Sequence, residues 1–308
     1  MLSNIFLYLL AGLLLRVLLT VIGISAENVD RFRSRINYVV FYYIIPFVCL
    51  KTAYSMPFGM SHIKISVVAN LTILSAVGLS LLIYKRIGKI KGIKSEIIGS
   101  LVMCSAFGNV LYIGLPILTE LYGDEGMSYA FTYDFLASTP LTWTVAVLLC
   151  MKYGRAKAIK IKDSFLTILK IPPIWGLLLG FLMREVHIDI PSIILESIGV
   201  VSGYVTSLML VIVGLSIKAV TPERFFIALP AIGIKLLVSP ILAFIYGNLF
   251  GLSDIPLNVC LIEASMPSML LSMIFATAFG VDMRTAVEMI FLTTIFSLVL
   301  ISSVFLFF

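Results

Sequence analysis

Ten long apolar runs, each about as long as a bilayer is thick, fix what this sequence can become. They lie at roughly 3–23, 34–55, 63–84, 96–120, 127–150, 166–184, 192–217, 225–249, 257–279 and 286–308. A helix needs about 20 apolar residues to cross the hydrocarbon core. Backbone amides cannot stay unpaired in lipid, so each run is expected to be a helix. Composition agrees, with 60% of the 308 residues apolar and 12% charged, against roughly 25% charge in soluble domains. The expected fold class is therefore all-α, a polytopic membrane protein of ten transmembrane helices. No linker is long enough to separate a soluble domain.

The net charge of +6 would raise nucleic acid as a partner in a soluble protein. Here the basic residues sit in short loops between apolar runs, so membrane lipid is the expected partner and nucleic acid is not. Loops after runs 1, 3, 5, 7 and 9 hold Arg31, Arg33 and Arg35; Lys85, Arg86, Lys89, Lys91 and Lys94; Lys152, Arg155, Lys157, Lys160 and Lys162; Lys218 and Arg224; and Arg284. The opposite side, flanks included, holds Lys51, Lys64 and Arg184. By the positive-inside rule the basic loops face the cytoplasm and both termini face outward. The expected location is the plasma membrane.

The halves resemble each other. Run 1 contains AGLLLR (Ala11 to Arg16), and run 6 contains LGFLMR (Leu179 to Arg184). Run 4 is interrupted at Gly114-Leu115-Pro116 and run 9 at Met266-Pro267-Ser268. Five runs per half put the halves into the membrane from opposite sides, which is the inverted repeat of many secondary transporters. The expected repeats are 1–165 and 166–308.

Chemistry is expected at the interruptions. In run 4, Pro116 lacks an N–H, Gly108 and Gly114 tolerate unwound backbone, and Asn109 adds an amide that donates and accepts. The ends of interrupted half-helices carry partial charge, positive at N-termini, which favours an anion. The plainer alternative is a kinked helix packed by its neighbours. In run 9, Pro267 is flanked by the hydroxyls of Ser265 and Ser268. Glu263 stands about one turn earlier, Asp134 lies within run 5, and Lys235 lies mid-way along run 8. Ionisable groups at membrane depth are functional candidates by default, here for a coupling proton or Na⁺. Their alternatives are a surface carboxyl for Glu263, a structural hydrogen bond for Asp134, and snorkelling for Lys235. Glu288 reads as a solvated flank, and Arg16 as able to snorkel.

No metal site or catalytic residue is expected. Cys49, Cys104, Cys150 and Cys260 all fall inside apolar runs, as packing residues, and the N-terminus reads as the first span rather than a signal peptide. There is no G-x-x-x-x-G-K-[ST] for ATP. An intramembrane protease is the first alternative, because of Tyr133-Asp134. Its second aspartate would be in Phe279-Gly280-Val281-Asp282, which lacks the required first glycine. A serine protease fails too, since Gly199-Val200-Val201-Ser202-Gly203 has the wrong spacing and His62 and His187 read as outer-loop residues. A passive channel or a sensor is the other alternative, and the loops are too short for a sensor's output domain.

Four segments carry a family resemblance: FYYIIPFVCLKTAYS (Phe41 to Ser55), FGNVLYIGLPIL (Phe107 to Leu118), IPPIWGLLLGFLM (Ile171 to Met183) and EASMPSML (Glu263 to Leu270). In this order, along nearly the whole chain, they resemble the auxin efflux carrier family of permeases, which includes bacterial and archaeal malonate and malate carriers. The resemblance implies a fold like that of the bile-acid sodium symporters. Helices 4 and 9 would cross at their unwound midpoints. Helices 1, 2, 6 and 7 would form a panel, and helices 3–5 and 8–10 a crossover core. It implies organic anions as substrates, Asn109 as the crossover asparagine, and a homodimer. The chain departs from the family's plant plasma-membrane carriers in lacking a long central loop. It has no basic cluster at the crossover, which leaves the choice of anion open.

Overall fold

The computed structural model describes residues 2–55, 58–155, 172–215 and 222–306. These residues are helical nearly throughout, and among them the single extended pairing is an isolated bridge between Gly108 and Ser268. The expected repeat boundary at 165/166 lies outside the described residues, as do Lys157, Lys160, Lys162, Lys170 and Lys218.

Among the described residues, four helical stretches are long and apolar enough to cross a membrane: Met60–Lys91, Val110–Tyr153, Ser192–Ile212 and Phe225–Leu249. The second has 44 residues, roughly 66 Å at 1.5 Å per residue, too long for one pass. It turns at Gly123, whose φ of 60° and ψ of −142° are open to glycine and strained for other residues. Runs 4 and 5 therefore meet where the sequence places them.

Prolines shape the helices in one recurring way. Pro46, Pro116, Pro140 and Pro240 each follow by two residues a five-residue wide turn: Val40–Ile44, Val110–Gly114, Asp134–Ser138 and Ile234–Val238. Before Pro46, Pro140 and Pro240 the preceding residue donates its N–H five positions back, Ile45 to Val40, Thr139 to Asp134 and Ser239 to Ile234. A proline ring pushes against the carbonyl four residues earlier and offers it no donor. Widening the turn relieves that contact. Neighbouring side chains then satisfy the freed carbonyls, as membrane helices require. Leu136, four before Pro140, accepts from Ser66 Oγ at 3.2 Å and Asn70 Nδ2 at 3.3 Å. Pro230 is served by Tyr84, whose hydroxyl accepts from Ala231 N–H at 3.0 Å and donates to Ile227 O at 2.8 Å.

The chain divides into two compact units. The first comprises Met1–Gly59, Leu111–Phe131 and Leu169–Ile217. Its helices approach backbone to backbone at glycines. A Cβ on Gly176 would strike the Pro46 carbonyl, and one on Gly180 the Leu50 carbonyl. Gly12 stands likewise against Val211 and Gly214. Gly176 and Gly180 form the small-xxx-small spacing that lets membrane helices touch. Arg16 pairs with Asp30 at 3.1 Å and donates to the Leu215 carbonyl, so it is held inside the unit rather than snorkelling. The arginines after run 1 are carried on a helix, Ala26–Val39, and not in a loop. That stretch is polar, but its three arginines and Glu27 are good helix formers.

The second unit comprises Met60–Val110, Thr132–Ile168 and Lys218–Phe308. The helix Met60–Lys91 packs on Ser95–Ala106 and on Ser239–Leu249. His62, read as a loop residue, is buried in its first turn. Glu288, read as a solvated flank, is also buried and accepts from Arg284 Nε at 3.0 Å. An i,i+4 partner on its own helix neutralises it there.

Candidate functional site

Two helices of the second unit stop in mid-course and meet. Ser95–Ala106 ends and the chain runs extended through Phe107–Asn109. Asp254–Ala264 ends and the chain stays non-helical until Leu271–Phe279 begins. Asn109 N–H donates to Pro267 O at 2.6 Å, and Met269 N–H donates to Phe107 O at 3.0 Å. The two bonds are reciprocal and frame the bridge between Gly108 and Ser268. Two segments that each lost a turn of helix thus satisfy one another, as buried amides require.

The break in run 9 falls at Pro267, where the sequence places it. The break in run 4 does not. Gly114 ends the wide turn Val110–Gly114, and Pro116 sits in the helix Leu115–Tyr133 that follows. Both belong to the first unit, whereas Gly108 and Asn109 belong to the second. The wide turn absorbs the proline, so the helix resumes through it, and the opening lies at Phe107–Asn109.

A side-chain brace holds the junction. Ser268 N–H donates to Thr293 Oγ1 at 2.9 Å, and Ser268 Oγ donates to the Cys104 carbonyl at 2.7 Å. Cys104 lies in the last turn before the break, where carbonyls lose their helical donors. Ser265 Oγ donates back to Leu261 O at 2.7 Å. The two serine hydroxyls are therefore engaged with backbone. The Asn109 amide differs: the residue is 4% exposed, yet the side chain makes no hydrogen bond to any described residue.

The three ionisable candidates of the sequence, Lys235, Glu263 and Asp134, are all buried in this unit. Lys235 is in the wide turn Ile234–Val238, 2% exposed. Its Nζ donates to the carbonyl of Ala264, the last residue of the half-helix before the run 9 break, at 2.8 Å. The same ammonium lies against the run 4 break, where a Cβ built on Gly108 would stand 3.1 Å from Nζ. Lys235 thus touches both interruptions, and a cation at a helix C-terminus offsets the partial negative charge there. Glu263 is 1% exposed, and neither carboxylate oxygen has a hydrogen-bond partner. Its charged neighbours are Asp134 and Lys235. Asp134 is buried and accepts from Thr139 Oγ1 at 3.0 Å.

The structure so gathers Gly108, Asn109, Pro267 and Ser268 at the bridge, with Lys235 against both breaks and Ser265 and Glu263 on the adjoining turns, while Asp134 is buried in the same unit. Sequence reasoning missed the main-chain partners Phe107, Ala264 and Met269, and Thr293. Nothing in residue type marks a carbonyl that will lose its helix. Thr293, in the pair Thr293-Thr294, carried the one readable signal, a hydroxyl in the last apolar run. Among the described residues, no group of three or more His, Cys, Asp and Glu is placed to hold a metal ion.

Comparison with known proteins gives the family. Residues 30–305 match the family described as membrane transport protein. An uncharacterized transporter of Methanocaldococcus jannaschii is 29% identical over 276 residues, covering 87% of each chain. An uncharacterized transporter of Methanothermobacter thermautotrophicus is 27% identical over 290 residues, covering 93% of this chain and 91% of that one.

Proposed function

The chain belongs to the membrane transport protein family, and from that premise we propose that it is a secondary carrier for a small organic anion, a mono- or dicarboxylate. It is a multi-pass membrane transporter and not an enzyme, which removes the protease alternative. The observation that carries the substrate class is the paired break: two half-helix ends joined at Gly108 and Ser268, with the Asn109 amide left unspent beside them. A carboxylate held there would accept from Asn109 Nδ2 and lie at the positive N-terminal ends of the half-helices.

Asp134 and Glu263 are the groups for a coupling proton or Na⁺, with Lys235 as their countercharge. Two buried carboxyl groups and one lysine at this depth disfavour an anion until a proton or Na⁺ neutralises one of the carboxyls. The reading further holds that the chain is an inverted ten-helix repeat in the plasma membrane with both termini outside, and that the crossover core rocks against a panel of helices 1, 2, 6 and 7. The reciprocal bonds at the breaks support a repeat. So does the matching use of Gly12 and Gly180, which sit at the same place in AGLLLR and LGFLMR and each approach a carbonyl of another helix.

Purified protein in liposomes provides the test. Uptake of a carboxylate should saturate and be stimulated by the same anion on the far side, which separates a carrier from a channel. Asn109→Ala should cut uptake at least about tenfold, the loss of one charge-assisted hydrogen bond. If no mono- or dicarboxylate moves, and none raises the unfolding temperature, the substrate class is wrong. Unchanged uptake by Asn109→Ala removes that residue from the site.

A further inference from the structure

The helix Met60–Lys91 is longer than a bilayer needs. Its 32 residues run roughly 48 Å at 1.5 Å per residue, against about 30 Å of hydrocarbon. Its last third therefore emerges into the headgroup layer, and that third is basic. Lys85, Arg86 and Lys89 are exposed and lie on one face, since residues three and four apart are neighbours on a helix. Among the described residues, none of the three makes a hydrogen bond or an ion pair. The acidic groups expected on the same side are engaged: Glu96 with Arg155, Glu288 with Arg284, and Asp282 with Thr285. The same face continues along the helix as apolar surface. Leu82, one turn before Lys85 and Arg86, is 68% exposed, and Leu74 is exposed too. Between them Gly78 leaves a notch, with nothing within 4 Å of where a Cβ would stand. An unpaired cationic triad above an apolar notch matches a molecule with an anionic head and a hydrocarbon tail.

We propose that this face of Met60–Lys91 is a binding site for an anionic phospholipid. The phosphate is held by Lys85, Arg86 and Lys89, and one acyl chain lies in the notch at Gly78 between Leu74 and Leu82. A zwitterionic lipid offers the same chains but no net charge to the triad, so the site selects by headgroup. Lys91 and Lys94 are basic as well, but Lys91 is on another face of the helix and Lys94 lies beyond its end. They separate a built site from the diffuse attraction of basic loops to a membrane. The inference does not depend on what the protein carries.

The experiment is thermal unfolding of the delipidated, detergent-purified protein with added phosphatidylglycerol, against the same amount of phosphatidylcholine with identical chains. The wild type should unfold higher with phosphatidylglycerol by about 3 °C or more, as expected for a ligand that binds only the folded state. Lys85→Ala/Arg86→Ala/Lys89→Ala should lose that difference. Without lipid it should unfold within about 1 °C of the wild type, because the three side chains are exposed and unpaired. Lys91→Ala/Lys94→Ala, which removes two charges away from the face, should keep the difference. Gly78→Leu, which fills the notch and retains every charge, should reduce it. Equal shifts with the two lipids overturn the proposal, as does a triple variant or a Gly78→Leu that leaves the difference intact, or a Lys91→Ala/Lys94→Ala that loses it. A triple variant that unfolds well below the wild type without lipid shows the three side chains spent on the fold, and also overturns it. A rise of the same size with inorganic phosphate alone makes this a site for a soluble anion and overturns the lipid.

Discussion

Thr293→Val tests what holds the two breaks in register. Thr293 is fully buried and accepts the Ser268 N–H at 2.9 Å while donating to Met289 O at 2.6 Å and lying 3.2 Å from Ser268 Oγ. Valine keeps the shape and removes the hydroxyl. Met289 O loses little, because a helix carbonyl has its backbone donor. The Ser268 amide loses its partner in a dry interior, at a cost of about 1–3 kcal/mol. Thr293→Ser keeps the hydroxyl and loses one methyl, about 1 kcal/mol. At about 2–4 °C per kcal/mol, the scale for domains of roughly 150–250 residues, valine should unfold about 2–12 °C below wild type, and below serine. Differential scanning fluorimetry with a thiol dye in detergent would read both, since the four cysteines are free and all buried. If valine matches wild type while serine falls, packing holds the junction and the hydrogen-bond argument is wrong.

Other outcomes follow from the same geometry. Gly180→Ala should destabilise by about 1–3 kcal/mol, because the new methyl meets the Leu50 backbone rather than a movable side chain. Gly78→Ala, with nothing within 4 Å of the added carbon, should be neutral or stabilise by up to about 1 kcal/mol. The same thermal assay compares the pair, and equal effects would sink the close-approach account. Tyr84→Phe should cost about 1–3 kcal/mol, since the Ala231 N–H and the Ile227 carbonyl at Pro230 lose their shared hydroxyl. Local hydrogen exchange should rise at Ala231, and an unchanged rate would show that another group serves it.

Much of this was readable in the residues, and the failures have physical causes. Apolar runs 3, 7 and 8 marked helices long enough to span, because lipid forbids an unpaired backbone. Gly123 fell between runs 4 and 5 and proved to be a turn. Pro267 marked its break correctly. Pro116 misled, because a wide turn can absorb a proline and no residue pattern announces one. The Gly176-xxx-Gly180 spacing was visible but not used. Lys235 reads in the sequence as a candidate beside Asp134 and Glu263, and its contacts with Ala264 and Gly108, 29 and 127 positions away, are not legible there. Glu288 looked solvated by its place near a helix start, and only its arginine neighbour explains its burial. Sequence reports what each residue is; the chemistry of this site lies in which carbonyls were left over.

The joint between the breaks is made of main-chain atoms. Its two bonds run from the amides of Asn109 and Met269 to the carbonyls of Pro267 and Phe107, and every amino acid supplies a carbonyl, every one but proline an amide. Side chains at these positions can therefore change over evolutionary time without dismantling the meeting point, provided neither 109 nor 269 becomes proline. A scaffold of that kind lets specificity drift from one cargo to another while the framework stays intact.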